Sequence, residues 1–471
     1  MGRAVAMHLL RRATYGPTTT EVHRITRMGP KAWLDEQLEP ESISDRPGDE
    51  VRRLFPELGW SVTDVRRQVE EFDWGPMFSL GQGTVGLAIW SRRQLHELMV
   101  EFWSNHLNVA CPSDDVWDSR PDYDRTVIRR HALGRFDQML LASATHPAML
   151  RYLNNADSTK RAPNENYGRE LLELHTVGIG AGYSQADVVD SARILTGWSV
   201  GADGLAKYRP GNHYTGHVSV LDFNHPNSSP DGRAVVEAYL HHLAHHSATA
   251  EHIAFKLCQR FVDDDPPQTL VRGLTQVYLQ RQTAIRPVLR TLFHSSEFAR
   301  ARRKKFRTPY EDVVATVRVL GHRPQGSRRR GRRGIEELYW MTGEAGQAPL
   351  AWQPPNGYPM VAAAWQSAAV SLARWNHHQS LVSRWWPNKR QLRMDPPRQL
   401  LGELPERHAG VVRQLAARLL FEQLTDAQLA AVLQFVGTTA RRRTRPDDDL
   451  VTWRVAEVAA LILDSPAHTR R

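Results

Sequence analysis

The stretch Leu95-His-Glu-Leu-Met-Val-Glu-Phe-Trp-Ser-Asn-His106 decides the fold class. Leu95, Leu98, Met99 and Phe102 fall at i, i+3, i+4 and i+7, the apolar stripe of a helix laid on a core. The same spacing reaches position 106, so His106 is expected to point inward. An inward histidine at a helix C-terminus is either a satisfied structural group or a poised acid/base group. Trp103 and Asn105 flank it, and a buried Asn105 amide needs a partner.

The helical period recurs on both sides of this stretch. Thr18 with Glu21, and Ser184 with Asp187, are capping-box patterns. The first opens a helix running to Gly29-Pro30. The second opens one that turns Val188, Ala192 and Leu195 inward and stops at Gly197. Ile253, Leu257 and Phe261 line a further helix, and Val411, Leu415, Leu419 and Leu420 another. Alternating patterns are scarce, and 214–223 is the best candidate for a short hairpin. The fold expected is all-α: a large multi-helix body with long irregular loops and at most a small β-hairpin. Loops are expected at 154–164, 201–234 and 322–351. Soft boundaries give a motif-bearing helical body (1–270), a helical subdomain with a basic Arg-rich loop and a Pro/Gly-rich segment (271–385), and a C-terminal helical segment (386–471).

The densest polar stretch is Asn164-Glu-Asn-Tyr-Gly-Arg-Glu-Leu-Leu-Glu-Leu174, followed by His175. Asn164 is a good N-cap after Pro163. Asn166, Arg169, Glu170 and Glu173 then share one helix face, and Tyr167, Leu171 and Leu174 form an apolar neighbour. Glu170 and Glu173, one turn apart, suit a carboxylate pair for acid/base work. The alternative is a solvated face with an Arg169–Glu173 pair.

The chain has 471 residues and a net charge of +10. The excess sits in one window, Arg302–Arg333, which holds twelve basic residues against Glu311 and Asp312. The remainder is electrically balanced, which argues against a nucleic-acid-coating protein. Arg328, Arg329, Arg330, Arg332 and Arg333 lie among Gly and Ser and read as a mobile basic loop, suited to an acidic protein partner. Few aromatics interleave with them, so base stacking is not indicated. Two cysteines, Cys111 and Cys258, exclude a disulfide scaffold and read as lone buried thiols. The pairs His241/His245 and His242/His246 sit at i,i+4, but no third ligand is evident and no metal is assigned. No phosphate loop, dinucleotide fingerprint or nucleophile elbow occurs, and no cofactor is indicated. No stretch of ~20 apolar residues is present. As written, the chain reads as cytoplasmic, with export the expectation if a leader precedes Met1.

Several stretches together carry a resemblance. They are His8-Leu-Leu-Arg-Arg-Ala-Thr-Tyr-Gly16, Phe102-Trp-Ser-Asn-His106, His146-Pro-Ala-Met-Leu150, Asn164 to Leu174, Leu195-Thr-Gly-Trp198 and Pro354-Pro-Asn-Gly357. In this order they resemble the bacterial family known as domain of unknown function 1800, over roughly 6–380 and more weakly to about 465. The resemblance implies a mostly α-helical bacterial protein and no particular reaction, since the family is named for lacking one. It also implies that many similar chains are exported on a twin-arginine leader. Their genes neighbour a sulfatase- or phosphatase-like family, domain of unknown function 1501, which is thereby a candidate partner. The chain departs from the pattern at His175, where similar chains carry Phe, so His175 is expected to be peripheral or to pack like the aromatic.

Two functions follow as expectations. In the first, a hydrolase-like acid/base enzyme uses Glu170 or Glu173 as base, His106 as acid or base, and Arg169 as an anion clamp. Trp103, Asn105, Asn164, Asn166 and Trp198 would hold its polar substrate. In the second, the polar stretch is a structural network in a non-enzymatic scaffold, and the segment 302–333 docks an acidic partner.

Overall fold

A computed structural model describes residues 3–471. The helices that frame its core and site are, in chain order, α1 (Arg3–Ala13), α2 (Thr19–Met28), α3 (Gly75–Trp90), α4 (Gln94–His106), α5 (Phe136–Ala144), α6 (Glu165–Glu170), α7 (Gln185–Leu195), α8 (Arg233–His245), α9 (Ser247–Phe261), α10 (Pro309–Leu320), α11 (Arg328–Glu344), α12 (Ala368–Ser383), α13 (His408–Leu420) and α14 (Arg454–Leu463). The fold is mostly helical, at 62% helix, with only small two-stranded sheets.

Helix α3 is apolar around its circumference, and from Pro76 to Ile89 only Phe78 escapes full burial. A helix with no polar face must be covered on every side. Helices α10 and α11 supply much of that cover, α12 packs on α10, and α14 joins α12 to α13. One cluster of buried side chains runs from Ala6 to Leu463, with a small satellite of Val51, Phe55, Leu58, Leu80, Leu87 and Ile335.

The ends of α2 and α7 follow their sequence signals. Thr18 Oγ1 accepts from the Glu21 amide, and Ser184 Oγ from the Asp187 amide. Leu95, Leu98 and Met99 are wholly buried, as are Ile253, Leu257 and Phe261. Both arginines of the first motif serve helix ends. Arg12 donates to the carbonyls of Phe261 and Val262 at the close of α9, and Arg11 to the carbonyl of Leu420 at the close of α13. Cations suit these positions, where unpaired carbonyls concentrate negative charge.

One expectation is corrected. The segment 322–351 is not a loop, because Arg328–Glu344 forms the 17-residue helix α11. Its buried residues are Gly331, Gly334, Ile335, Leu338, Tyr339, Met341 and Thr342. The glycines looked like loop residues, but Gly334 marks a close approach: a Cβ there would lie 2.5 Å from the Gln391 carbonyl oxygen. The loop 201–234 likewise contains short strands. β1 (Trp198–Val200) pairs with β2 (Ala206–Tyr208), and β3 (Val218–Val220) with β4 (Phe223–His225), both antiparallel. The second pair overlaps the hairpin expected at 214–223 but begins at Val218 and runs on to His225. A third pair, β5 (Arg323–Pro324) with β6 (Leu392–Arg393), ties the lead-in of α11 to a distant segment. Cys111 and Cys258 are buried and unbonded, and burial pushes both thiols up to about 12.

Two ion networks lie inside. Arg260 joins Glu101 (2.7 Å) to Glu311, and Arg471 reaches the same Glu311 oxygen at 2.7 Å. His378 bridges Asp312 (2.9 Å) and Asp464 (2.7 Å), with Arg374 and His468 alongside. Among the described residues no helix is long and apolar enough to cross a membrane.

Candidate functional site

The inward stripe of α4 ends on His106, which is 1% exposed. Its Nδ1 lies 2.9 Å from Lys256 Nζ and its Nε2 3.0 Å from the His175 carbonyl oxygen. An ammonium only donates, so Nδ1 accepts and the ring proton sits on Nε2, which donates to the carbonyl. His106 is thus held as one neutral tautomer. Burial, then the Lys256 charge, drives its pKa well below the usual histidine range. Burial also lowers Lys256 to about 8.

Two more histidines close the cluster. His252 bonds the Thr176 carbonyl through Nδ1 at 2.7 Å and is lowered to about 4, by burial and then by Lys256. His175 is wholly buried, neither ring nitrogen has a partner, and burial first, then Lys256, brings it to about 3. Its ring meets Tyr167 edge-on at 6.2 Å and lies 6.5 Å from the His106 ring. His175 therefore packs as an aromatic, and Lys256 is the cluster's one cation near neutral pH.

Helix α6 begins at Asn164, whose Oδ1 accepts from the Asn166 amide at 2.9 Å. After Glu170 the backbone loosens into a π-helical turn, Leu171–His175, which brings the His175 carbonyl to His106. Such turns occur preferentially at functional sites. Gly168 lets α6 and α7 touch, since a Cβ there would lie 2.8 Å from the Ala192 amide nitrogen. Arg169 is held by Gln185 (2.7 Å) and by Glu173 (3.6 Å). Glu170 is half-buried and makes no ion pair among the described residues. Burial raises its pKa, and the neighbouring Glu173 charge raises it further. Tyr183 is pushed up to about 12, by desolvation and then by Glu173 beside it.

A strap, Trp352 to Tyr358, closes over the end of α4. Asn108 donates to the Trp352 and Pro354 carbonyls at 2.9 and 2.8 Å, and Asn105 Oδ1 accepts from the Tyr358 amide at 3.3 Å. Tyr152 donates to the Gln353 carbonyl and feels the Glu170 charge. Asn105 is half-buried rather than buried, and its oxygen alone meets the strap. Trp103 Nε1 donates to the Ala132 carbonyl at 2.9 Å, Asn164 to Asn154, and Asn166 to Leu153. Trp198 stands edge-on to Tyr208, and its buried Nε1 has no partner.

A family model described as "Protein of unknown function (DUF1800)" matches residues 8–470. The chain belongs to the DUF1800 family. No curated protein and no solved structure matches it.

In this DUF1800 chain, His106 is sealed beneath α6, while Arg169, Glu170 and Glu173 stand on a half-exposed face. The asparagines bind backbone. Lys256, His252 and Tyr152 join the site without having been singled out from sequence. The signal for Lys256 was composition: only seven of the 61 basic residues are lysine. In so Arg-rich a chain a lysine stands out, because it can lose its proton on burial and arginine does not. The basic window is divided. Arg303, Lys304, Lys305 and Arg318 pair with Glu422, Asp263, Asp264 and Glu21. Arg332 pairs with Glu57 at 2.8 Å and lies over the Phe55 ring, and Arg333 pairs with Glu337 at 3.0 Å. Arg328, Arg329 and Arg330 are exposed and make no ion pair among the described residues.

Proposed function

We propose that this protein is an acid/base enzyme of hydrolytic type, with Glu170 as general base and Lys256, seated on His106, as the proton-donating partner. The observation that carries the reading is the Lys256–His106 contact at 2.9 Å, which keeps a lysine of pKa about 8 beside a sealed, neutral imidazole. Glu170 supports it as a second perturbed group, because burial and Glu173 shift its half-buried carboxyl upward. Groups drawn toward neutrality from both directions are what proton transfer near pH 7 requires. His106 then positions Lys256 rather than touching substrate. Arg169, held by Glu173 and Gln185, orders the carboxylate face instead of clamping an anion.

The test pairs Glu170→Gln and Lys256→Met on the purified protein against a panel of chromogenic esters, glycosides and phosphates. Each variant is expected to lose about 10²–10⁴-fold in kcat with its melting temperature kept. Burial lowers both Lys256 and Lys305 to about 8, so reductive methylation of the wild type should give two dimethyl-lysine NMR signals titrating well below the other five, and Lys256→Met should remove one of the two. Unchanged turnover in both variants, or both low-titrating signals persisting in Lys256→Met, would overturn the reading.

One observation favours a second reading, a scaffold that docks an acidic protein. Arg328, Arg329 and Arg330 occupy the first turn of α11, where the helix dipole disfavours cations, and they lack carboxylate partners. The partner could be of the sulfatase- or phosphatase-like kind that the family resemblance implies. Replacing all three arginines with Gln should abolish salt-sensitive retention on immobilised acidic polypeptide. Unaltered retention would remove this reading.

A further inference from the structure

Helix α5 turns Phe136 inward, where it stacks on Trp103 at 5.4 Å. The next residue, Asp137, faces α8, which carries His241 and His245. Each of the three offers one ligand atom, and these atoms lie within 4.8 Å of one another. The third ligand that the i,i+4 histidine pair lacked in sequence is therefore supplied by a helix about a hundred residues upstream.

The protonation pattern makes this more than proximity. His245 Nδ1 lies 2.9 Å from the His241 carbonyl oxygen, so it carries the ring proton and donates it. Its Nε2 is then a bare lone pair. That nitrogen is buried, has no hydrogen-bond partner, and stands 3.8 Å from Asp137 Oδ2. Asp137 Oδ2 is shared with Arg135, but His245 Nε2 faces it with a lone pair that no donor satisfies, and a metal ion would serve both atoms. The His245 Nδ1–H bond to a carbonyl is also the outer contact that fixes a metal-binding imidazole in its ligating tautomer.

The neighbouring pair is built the other way. His242 Nε2 lies 2.8 Å from Asp222 Oδ1, so it must be the protonated nitrogen, and the contact is already satisfied. His246 Nδ1 accepts from the Ala248 amide, which leaves its proton on the nitrogen turned toward Asp222. Only the 241/245 pair turns an unprotonated nitrogen toward its carboxylate.

We propose that Asp137, His241 and His245 bind a divalent transition-metal ion of the imidazole-preferring class, with Zn²⁺ the representative. Two imidazoles and one carboxylate form a common three-ligand set for such ions and leave a position for water or a substrate atom. His241 is exposed, so the cluster is reached from solvent. Arg135 competes for Asp137 through both oxygens, with Nε 3.1 Å from Oδ1 and Nη2 2.5 Å from Oδ2, so a bound ion must displace at least the Oδ2 contact of this 35% exposed side chain.

The experiment is calorimetric titration of the chelator-treated full-length protein with Zn²⁺, with Co²⁺ absorption as a second readout. One equivalent is expected to bind, and His245→Gln and Asp137→Asn should each weaken it by about 100-fold. His241→Gln, at an exposed position, should weaken binding without altering the melting temperature of the metal-free protein, which separates ligand loss from misfolding. His242→Gln should leave the affinity unchanged. Wild-type affinity retained in His241→Gln and His245→Gln, or no Zn²⁺ uptake by the wild type, would overturn the proposal.

Discussion

Replacing Asp312 with Ala is expected to destabilise the protein by about 3–5 kcal/mol, the usual result of removing one member of a buried ion network. Both ring nitrogens of His378 face carboxylate oxygens, Asp312 at 2.9 Å and Asp464 at 2.7 Å. A carboxylate only accepts, so both nitrogens must donate and the ring is an imidazolium. Burial opposes that charge, but the Asp312 charge and its hydrogen bond prevail, with Asp464 adding to them, and raise His378 to about 9. Burial would raise Asp312 in turn, yet His378 and then Arg374 hold it far below the usual carboxylate range. Without Asp312, His378 keeps one partner, and the Arg374 guanidinium, already short of hydrogen bonds at Nε and Nη1, loses its nearest anion. The pH dependence follows from the raised histidine. Its contribution is complete below pH ~6.5 and fades as pH rises through about 9. Denaturant titrations at pH 6 and pH 9.5 should therefore show a fall in wild-type stability that His378→Gln largely removes. An equal fall in the variant would contradict this account.

Replacing Arg260 with Met should cost a similar ~3–5 kcal/mol near neutral pH, for the opposite electrostatic reason. Arg260 separates two buried carboxylates, Glu101 and Glu311. Burial already raises Glu101, while Arg260 and Arg471 overcome the same penalty at Glu311 and hold it down to about 2. Removing the guanidinium leaves like charges facing each other, with Arg471 the remaining counter-ion at Glu311. In the variant both carboxyls should titrate above their unfolded values. Their stabilising contribution is then present at low pH and lost as pH rises. The deficit relative to wild type should accordingly be smaller at pH 5 than at pH 7.5 in urea titrations. A deficit as large at pH 5 would show that lost packing, rather than charge, is the cause. Glu311 has a further duty, since its side chain accepts from the Thr308 amide at 3.1 Å and caps α10. Disturbance of the pair should therefore spread to that helix end.

Much of the architecture was legible because it depends on local spacing. The stripe from Leu95 to Phe102 and the boxes at Thr18 and Ser184 state their helices within a few residues. Helix α11 was hidden because Gly331 and Gly334 look alike in a flexible loop and in a close helix contact, and only the neighbouring segment at Gln391 distinguishes the two. The site was legible to the same degree. The inward aim of His106 follows from period, and the Asn164 cap from its place after Pro163. The partner that defines His106 lies 150 residues away at Lys256, and the strap that meets Asn105 lies 253 residues away at Tyr358. The five arginines read as one patch because their sequence neighbours are glycine and serine. Glu57, which claims Arg332, is 275 residues distant.

These long reaches bear on how the chain comes together during synthesis. Helix α1 is made before the other described helices, yet Arg11 finishes its contacts only at Leu420 and Glu422. Asn108 and Tyr152 likewise wait for the strap at 352–358. A ribosome that has passed residue 300 has delivered every acid/base group of the proposed site, but not the strap that closes over the end of α4. Final assembly therefore belongs late in translation or after it, and the nascent chain meanwhile exposes apolar surface that awaits α10 to α14. Loop closures of this length are slow, and such intermediates depend on chaperones to avoid aggregation.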